Sequence, residues 1–165
     1  MDVAVTGASG HVGGNLIREL LSRGRSVRVL VKDDTRALIG LDVEAIPGNI
    51  LNMDSLMKLF KGVKVVYHLA AKISISGSEE DDVFQANITG TKNVVDACIQ
   101  CGVERLVHFS SIHAFSSDPV DEIITEERKL VCNNDFCYDR NFGVFSRIGY
   151  FRHQSGKLDL VGDSN

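Results

Sequence analysis

The sequence predicts an α/β protein of the doubly wound type, in which a parallel sheet forms the middle of three layers. Short apolar runs alternate with amphipathic stretches along most of the chain, and a glycine-rich turn directly follows the first apolar run. Alternation of this kind is typical of parallel sheets, because each crossover between parallel strands needs a connection about as long as a helix. We therefore expect helices on both faces of the sheet.

The periodicity of apolar residues predicts where these elements lie. We expect strands at about 2–6, 27–31, 43–46, 64–69 and 105–110, and helices at about 11–23, 35–39, 53–60 and 82–100. Apolar residues spaced three apart predict a further helix over about 138–153, and Leu158–Val161 predicts a final strand. Residues 116–136 are rich in polar side chains and predict a surface excursion.

Composition indicates one cytoplasmic globular domain over residues 1–165. The chain is 44% hydrophobic with a net charge of −4, and it has neither a basic leader nor an apolar run of membrane-spanning length. We expect no nucleic-acid partner and no membrane surface. Cys98 and Cys101 form a CxxC at the end of a predicted helix, without a second ligand pair at zinc spacing, so we expect reduced thiols and no metal site.

The segment from Thr6 to Gly13 reads Thr-Gly-Ala-Ser-Gly-His-Val-Gly. A strand that turns through glycines into a helix directs backbone N–H groups and the positive end of the helix dipole at one point, which suits an anionic diphosphate. Gly7 would allow the tight turn, Gly10 the close approach of backbone to phosphate, and Gly13 the packing of helix on strand. The predicted contacts are Gly7, Ser9, Gly10, His11, Val12 and Gly13.

Six segments in order resemble the N-terminal part of an extended short-chain dehydrogenase/reductase. They are TGASGHVGG at 6–14, GNILNMDSL at 48–56, VVYHLAA at 65–71, NITGTKNVVDAC at 87–98, RLVHFSS at 105–111, and DEIITEERKL with the later YDR between 121 and 140. The family includes nucleotide-sugar epimerases, dehydratases and dihydroflavonol-reductase-like enzymes. The resemblance implies a Rossmann fold, an NAD(P)-dependent reaction on a sugar nucleotide or a related secondary alcohol or ketone, and a homodimer.

The resemblance also assigns the cofactor contacts beyond the glycine turn. Lys32 and Arg36 follow the second strand, where a basic residue would accept the 2′-phosphate of NADP(H) and an acidic one the ribose hydroxyl of NAD(H). We therefore favour NADP(H) over NAD(H), although these residues also suit a merely solvated turn. The family also implies that Asn49, in place of the usual Asp, contacts the adenine together with Ile50. The nicotinamide ribose would lie against Leu69, Ala70 and Ala71. Asn87 would order the start of the long helix.

Ser111 and Tyr138 occupy the positions of the family's catalytic hydroxyl and proton-exchanging phenol. The family places a lysine four residues after the tyrosine, where its charge favours the phenolate, but this chain has Phe142 there. The segment that shapes the family's substrate pocket is also largely missing, so we expect little turnover. Three explanations remain open: a truncated or frameshifted sequence after about 138–141, a noncatalytic dinucleotide-binding or redox-sensing module, and a short active enzyme.

Overall fold

The computed structural model describes residues 1–72, 80–110, 115–116, 118–125, 127–129, 149–154 and 157–161. Its strands are β1 Val3–Thr6, β2 Val27–Val31, β3 Glu44–Pro47, β4 Val65–His68, β5 Arg105–His108, β6 Gly149–Gln154 and β7 Lys157–Val161. They form one sheet in the order β3-β2-β1-β4-β5-β6-β7. The first five are mutually parallel, as the alternating sequence predicted.

Helices connect the parallel strands and cover both faces of the sheet. They are α1 His11–Ser22, a 3₁₀ turn at Arg36–Leu38, α2 Met53–Phe60, α3 Glu80–Phe84, a π-helical turn at Gln85–Thr89, and α4 Gly90–Gln100. The strand order reverses at β1, because β2 and β3 lie on one side of it and β4 and β5 on the other. In doubly wound folds a crevice for ligands opens at this reversal, beyond the carboxyl ends of the strands.

Two apolar clusters hold the helices to the sheet. On one face, Ile17 and Leu20 of α1 pack with Val5 and Val29. On the other face, α2 and α4 pack on alternate residues of the strands, with Leu56, Val94, Ala4, Val66 and Leu106 all fully buried. Since successive side chains of a strand point to opposite faces, β1, β2 and β4 contribute to both clusters.

The predicted helix ends are confirmed where glycine follows. Gly24 after α1 and Gly102 after α4 have φ angles of +70° and +67°, a left-handed conformation that glycine adopts without steric cost. The long helix predicted over 82–100 is present but not uniform, because the π-helical turn separates α3 from α4. Such turns contain one extra residue per turn and often mark functional sites.

The helix predicted over 138–153 is wrong in its described part. Residues 149–154 form β6, which runs antiparallel to β5 and pairs Leu106 with Phe151. The three-residue spacing that suggested a helix is also short of the helical period of 3.6, and this aromatic-rich stretch has high strand propensity. The predicted strand at Leu158–Val161 is confirmed within β7, which pairs antiparallel with β6. The rest of the range, 138–148, lies outside the described residues.

The side chain of Arg28 on β2 caps the C-terminal end of helix α2. Its Nη1 donates to the carbonyl oxygens of Lys58, Leu59 and Lys61 at 3.2, 3.0 and 3.0 Å. Its Nε lies 3.0 Å from a carboxylate oxygen of Glu44 on β3. The last carbonyls of a helix have no intrahelical partner and bear partial negative charge, so this guanidinium satisfies them and complements the helix dipole.

We predict that Arg28→Met destabilises the protein by about 2 kcal/mol, since the carbonyl groups of Lys58, Leu59 and Lys61 at the end of α2 would lose charge-assisted hydrogen bonds. Urea unfolding followed by circular dichroism measures the change. Arg105→Met is the matched control, because Arg105 also lies on a strand but its side chain is exposed. Equal midpoints for the two variants would contradict this role of Arg28.

Candidate functional site

The glycine turn lies between the ends of β1 and β4. Gly7 has φ of +74°, and a Cβ built on it would lie 2.6 Å from both the nitrogen of Ala70 and the carbonyl carbon of Leu69. The Leu69 N–H donates to the Thr6 carbonyl at 3.1 Å, directly before this contact. Only glycine meets both the conformational and the steric requirement at position 7.

Gly13 and Gly10 have different surroundings. A Cβ on Gly13 would overlap the Gly7 carbonyl oxygen, so α1 packs on the turn through its own backbone. A Cβ on Gly10 would meet only that same oxygen, at 3.3 Å, and Gly10 has an ordinary extended conformation. The fold therefore requires glycine at 7 and 13 far more than at 10, where the space beyond the backbone is open.

The N-terminus of α1 is available to an anion. Gly10 caps the helix without a side-chain hydrogen bond, and no acidic residue lies in the first turn. His11 and Val12 are exposed, Val12 by 52%. The first N–H groups of a helix lack intrahelical acceptors, so the backbone of His11, Val12 and Gly13 can donate to a ligand at this end.

Ser9 connects the glycine turn to the loop after β2. Its hydroxyl donates to the carbonyl oxygen of Asp34. Arg36 in turn donates from Nε and Nη2 to the two carboxylate oxygens of Asp34, at 3.0 and 2.8 Å, and these bonds lower the pKa of Asp34 to about 2. Lys32 is 73% exposed, with its ammonium 3.9 Å from Asp33. The loop thus presents two basic side chains, one of them already paired.

Asn49 and Ile50 follow β3 as part of a turn that leads into α2. The Asn49 side-chain oxygen accepts from the Leu51 N–H at 2.9 Å, so it stabilises the turn itself. Ile50 is buried, and a Cβ on Gly90 would lie 2.6 Å from its Cδ1, which places the turn against the start of α4. Asn93 completes this contact by donating to the Ile50 carbonyl at 3.2 Å.

Beyond β4, Leu69 and Ala70 are partly buried and Ala71 is exposed. Asn87 holds this segment from the π-helical turn: its side-chain oxygen accepts from the N–H of Lys72, and its amide donates to the carbonyl of Lys72, both at 2.8 Å. The Asn87 side chain thus makes both backbone hydrogen bonds that a neighbouring strand would make with Lys72. A single asparagine within a predicted helix does not indicate this role.

A buried polar bridge lies directly beneath the glycine turn, and no motif in the sequence indicates that its three residues belong together. The Nδ1 atom of His68 forms a hydrogen bond with the Thr6 hydroxyl at 2.6 Å, and its Nε2 atom forms one with the Thr91 hydroxyl at 3.0 Å. His68 is thus a core histidine whose two ring nitrogens both have hydrogen-bond partners. Thr6, His68 and Thr91 come from β1, β4 and α4, so the bridge joins three elements around the crevice.

His108 lies beside this bridge on β5. Its ring centroid is 5.2 Å from that of His68, and neither of its ring nitrogens has a hydrogen-bond partner within the described part of the chain. Burial lowers the pKa of His68 to about 3, with a smaller effect from His108, and burial lowers the pKa of His108 to about 4. Both rings are therefore neutral at physiological pH.

The predicted catalytic residues Ser111 and Tyr138, together with Phe142, lie outside the described residues. Over the ranges that are described, no three His, Cys, Asp or Glu side chains come close enough to hold a metal ion. Within the same ranges, no helix is long and apolar enough to cross a membrane.

A sequence model of the 3-beta hydroxysteroid dehydrogenase/isomerase family matches residues 4–140. Sterol demethylase protein B of Methylococcus capsulatus is 39% identical over 121 residues, which are 72% of this chain and 37% of that protein. A putative dihydroflavonol 4-reductase of Synechocystis is 35% identical over 67% of this chain and 32% of its own length. The chain thus spans about a third of the length of these curated relatives.

Solved structures show the same fold. A short-chain dehydrogenase/reductase superfamily protein from Agrobacterium tumefaciens with bound NAD has a TM-score of 0.70 and 31% identity, covering 82% of this chain and 40% of that one. The UDP-glucose 4-epimerase of Thermus thermophilus in complex with NAD has a TM-score of 0.68 and 29% identity, over 79% and 44% of the two chains. Two of the proteins most similar in structure therefore bind NAD.

We predict that stability falls as pH drops from about 6.5 towards 4. The unfolded chain protonates both histidines near the ordinary pKa of 6.5, whereas in the folded chain burial lowers the pKa of His68 to about 3 and that of His108 to about 4. Below pH 6.5 each group therefore reduces the free energy of unfolding by about 1.4 kcal/mol per pH unit, until the pH reaches its folded pKa. His108→Phe removes one of these groups and two unpartnered nitrogens. It should make stability less pH-dependent and raise the melting temperature at pH 5.

Thermal unfolding at several pH values between 4 and 8 measures this effect. His11→Gln serves as the control, because His11 is exposed. A His108→Phe variant whose melting temperature falls with acid as steeply as that of wild type would contradict the assignment of His108 as a buried neutral group.

Proposed function

The chain belongs to the 3-beta hydroxysteroid dehydrogenase/isomerase family, and on this premise we propose that it binds a nicotinamide dinucleotide in the crevice above β1. The membership confirms the resemblance to the extended short-chain dehydrogenases, a family of reductases and epimerases. The observation that supports the proposal most strongly is the uncapped N-terminus of α1, which close backbone packing at Gly7 and Gly13 holds beside the open space at Gly10.

The residues present fit such a cofactor. The N-terminus of α1 has neither a side-chain cap nor an acidic residue that would compete with or repel a diphosphate. In the proposed complex, Gly10, His11, Val12 and Gly13 hold the diphosphate, the turn at Asn49 and Ile50 borders the adenine, and Leu69, Ala70 and Ala71 border the nicotinamide ribose. When bound, the nicotinamide would exchange a hydride with substrate; the chain's described residues bind and orient it.

We further propose that NADP(H) is preferred over NAD(H). Lys32 is the first residue after β2, and its exposed ammonium is free of the strong pairing that holds Arg36. Arg36 would contact the 2′-phosphate only by sharing its guanidinium with Asp34. The expected preference is therefore modest.

For the substrate we propose a secondary alcohol or ketone, of the sugar-nucleotide class or a related one. The family description and the relatives named as a dihydroflavonol reductase and a UDP-glucose epimerase favour this chemistry, in which a carbinol carbon exchanges a hydride. Ser111 would hydrogen-bond the substrate oxygen and Tyr138 would exchange its proton. The second candidate is a noncatalytic dinucleotide-binding module, which the phenylalanine at position 142 favours.

Gly10→Val is expected to weaken cofactor binding by at least tenfold, because its side chain would project into the diphosphate site while the fold has room for it. Calorimetric titration with NADPH and NADH measures the affinity. Gly14→Ala is the control in the same helix, since its Cβ would meet mainly the flexible end of Arg18, at 3.2 Å. Equal affinities of wild type and Gly10→Val would show that the site is misplaced.

If the preference for NADP(H) is real, Lys32→Gln should weaken NADPH binding about threefold to tenfold and leave NADH binding nearly unchanged. The contact of an ammonium with a phosphate monoester is charge-assisted and screened by salt, so the preference should also shrink as salt is raised. Titrations of both cofactors at low and moderate salt test this. Tighter binding of NADH by wild type under both conditions would exclude the preference.

Turnover by this chain is expected to be very low. A tyrosine with a pKa near 10 is a poor base at neutral pH, and each unit of unfavourable pKa removes about 1.4 kcal/mol from the proton-transfer step. NADPH oxidation with ketone substrates measures turnover, and Phe142→Lys alone should restore only a small part of it. Robust oxidation by the unmodified chain that Tyr138→Phe abolishes would show that another group replaces the lysine.

A further inference from the structure

We propose that the buried bridge Thr6–His68–Thr91 sets the spacing between the glycine turn and the end of β4, which makes His68 and Thr91 positioning residues for the dinucleotide site. This inference rests on the proposed cofactor binding but assigns a role to residues that make no contact with the crevice surface. His68 is fully buried, and Thr91 is 6% exposed.

On β1, β4 and β5, the bridge lies in a polar layer at the carboxyl edge of the sheet face that α2 and α4 cover. In register across β1, β4 and β5, Ala4, Val66 and Leu106 form an apolar layer. Two residues further along, at the carboxyl edge, the same face has Thr6, His68 and His108. The apolar layer is enough to pack the core. Polar side chains at the edge therefore indicate that the relative positions of the strands and the helix matter there, because hydrogen bonds constrain position and apolar contacts do so less.

The chemistry of the bridge explains how it constrains these positions. A neutral imidazole has one N–H donor and one acceptor nitrogen, and a threonine hydroxyl can take either role, so the two bonds at 2.6 and 3.0 Å are satisfied in either tautomer. Buried hydrogen bonds of this kind fix distances more sharply than apolar contacts do, because an unpaired polar atom in the core is costly. The bridge therefore fixes β1, β4 and α4 relative to one another.

Each end of the bridge adjoins a part of the site that tolerates no displacement. Thr6 directly precedes Gly7, whose backbone lies against Leu69 and Ala70 with no room for a Cβ. His68 directly precedes Leu69. Thr91 follows Gly90, whose backbone touches Ile50 in the turn proposed for the adenine. Loss of one bond should therefore loosen the crevice at both the diphosphate and the adenine, without removing any ligand contact.

The test uses Thr91→Val, which keeps the shape of the side chain and removes the hydroxyl, beside Thr91→Ser, which keeps the hydroxyl. We expect Thr91→Val to weaken NADPH and NADH binding by about fivefold in calorimetric titrations and Thr91→Ser to retain most of the affinity. Val103→Ala provides a destabilised control, because Val103 is fully buried beyond the opposite end of β5. It should lower the melting temperature without weakening either cofactor.

Amide hydrogen exchange of the unliganded protein provides a readout that does not depend on cofactor. Thr91→Val should increase exchange at residues 7–13 and 69–72, whereas Val103→Ala and Thr91→Ser should not do so selectively. Unchanged exchange in these two segments, or equal affinities of the valine and serine variants, would overturn the inference. If wild type binds neither cofactor, the proposed function fails, while exchange still decides whether the bridge positions the turn.

Discussion

The crevice depends on a close approach of backbones at Gly7. The turn after β1 contacts the chain leaving β4 at Leu69 and Ala70, and α1 contacts the turn through Gly13, in both cases too closely for a Cβ. This steric requirement sets the angle at which α1 leaves the sheet, and so the direction of its free N–H groups. A side chain at either glycine would move the helix and with it the anion site.

The carboxyl edge of the sheet is less stable than the apolar layers beside it. The apolar layers of both faces supply most of the hydrophobic free energy of folding, since residues such as Ile17, Leu56 and Leu106 are fully buried. The carboxyl edge instead buries two histidine rings as neutral groups, one with both nitrogens unpartnered among the described residues. Polar groups at this depth reduce stability, particularly in acid, and such compromises in native folds concentrate at functional edges.

Much of the parallel core could be predicted because it depends on local patterns. The strands at 2–6, 27–31 and 64–69, the glycine turn and the stop signals at Gly24 and Gly102 all follow from residue type and periodicity. The strand at 149–154 could not, because its conformation follows from pairing with β5, distant in sequence. The role of Arg28 at the end of α2 likewise depends on a crossing that only the folded sheet creates.

Site residues show the same limit at finer scale. The glycines were identifiable because each has a backbone requirement of its own. Ser9 is predicted from the glycine turn, and Asn49 and Asn87 from the family resemblance. Each also makes a hydrogen bond within the protein that the sequence did not indicate. Their bonds hold the loops that would line the crevice, so these side chains can support a ligand indirectly as well as by contact. A residue at a motif position therefore predicts where the side chain lies in the fold better than it predicts which atom the side chain bonds.

Binding and turnover are physically separable in this chain. The proposed dinucleotide site is built from β1 to β4, α1 and the start of α4, which contact one another through the glycine turn, the His68 bridge and the bond from Asn93 to Ile50. The predicted proton exchange depends on Tyr138, after β5, and on a cation four residues later that would favour its phenolate, where this chain has Phe142. The closest contacts of Gly7, Gly10 and Gly13 are with residues 7, 8, 69 and 70, so under the proposed function Phe142 would impair proton transfer rather than the diphosphate site. A chain of this kind would bind cofactor with little consumption of it.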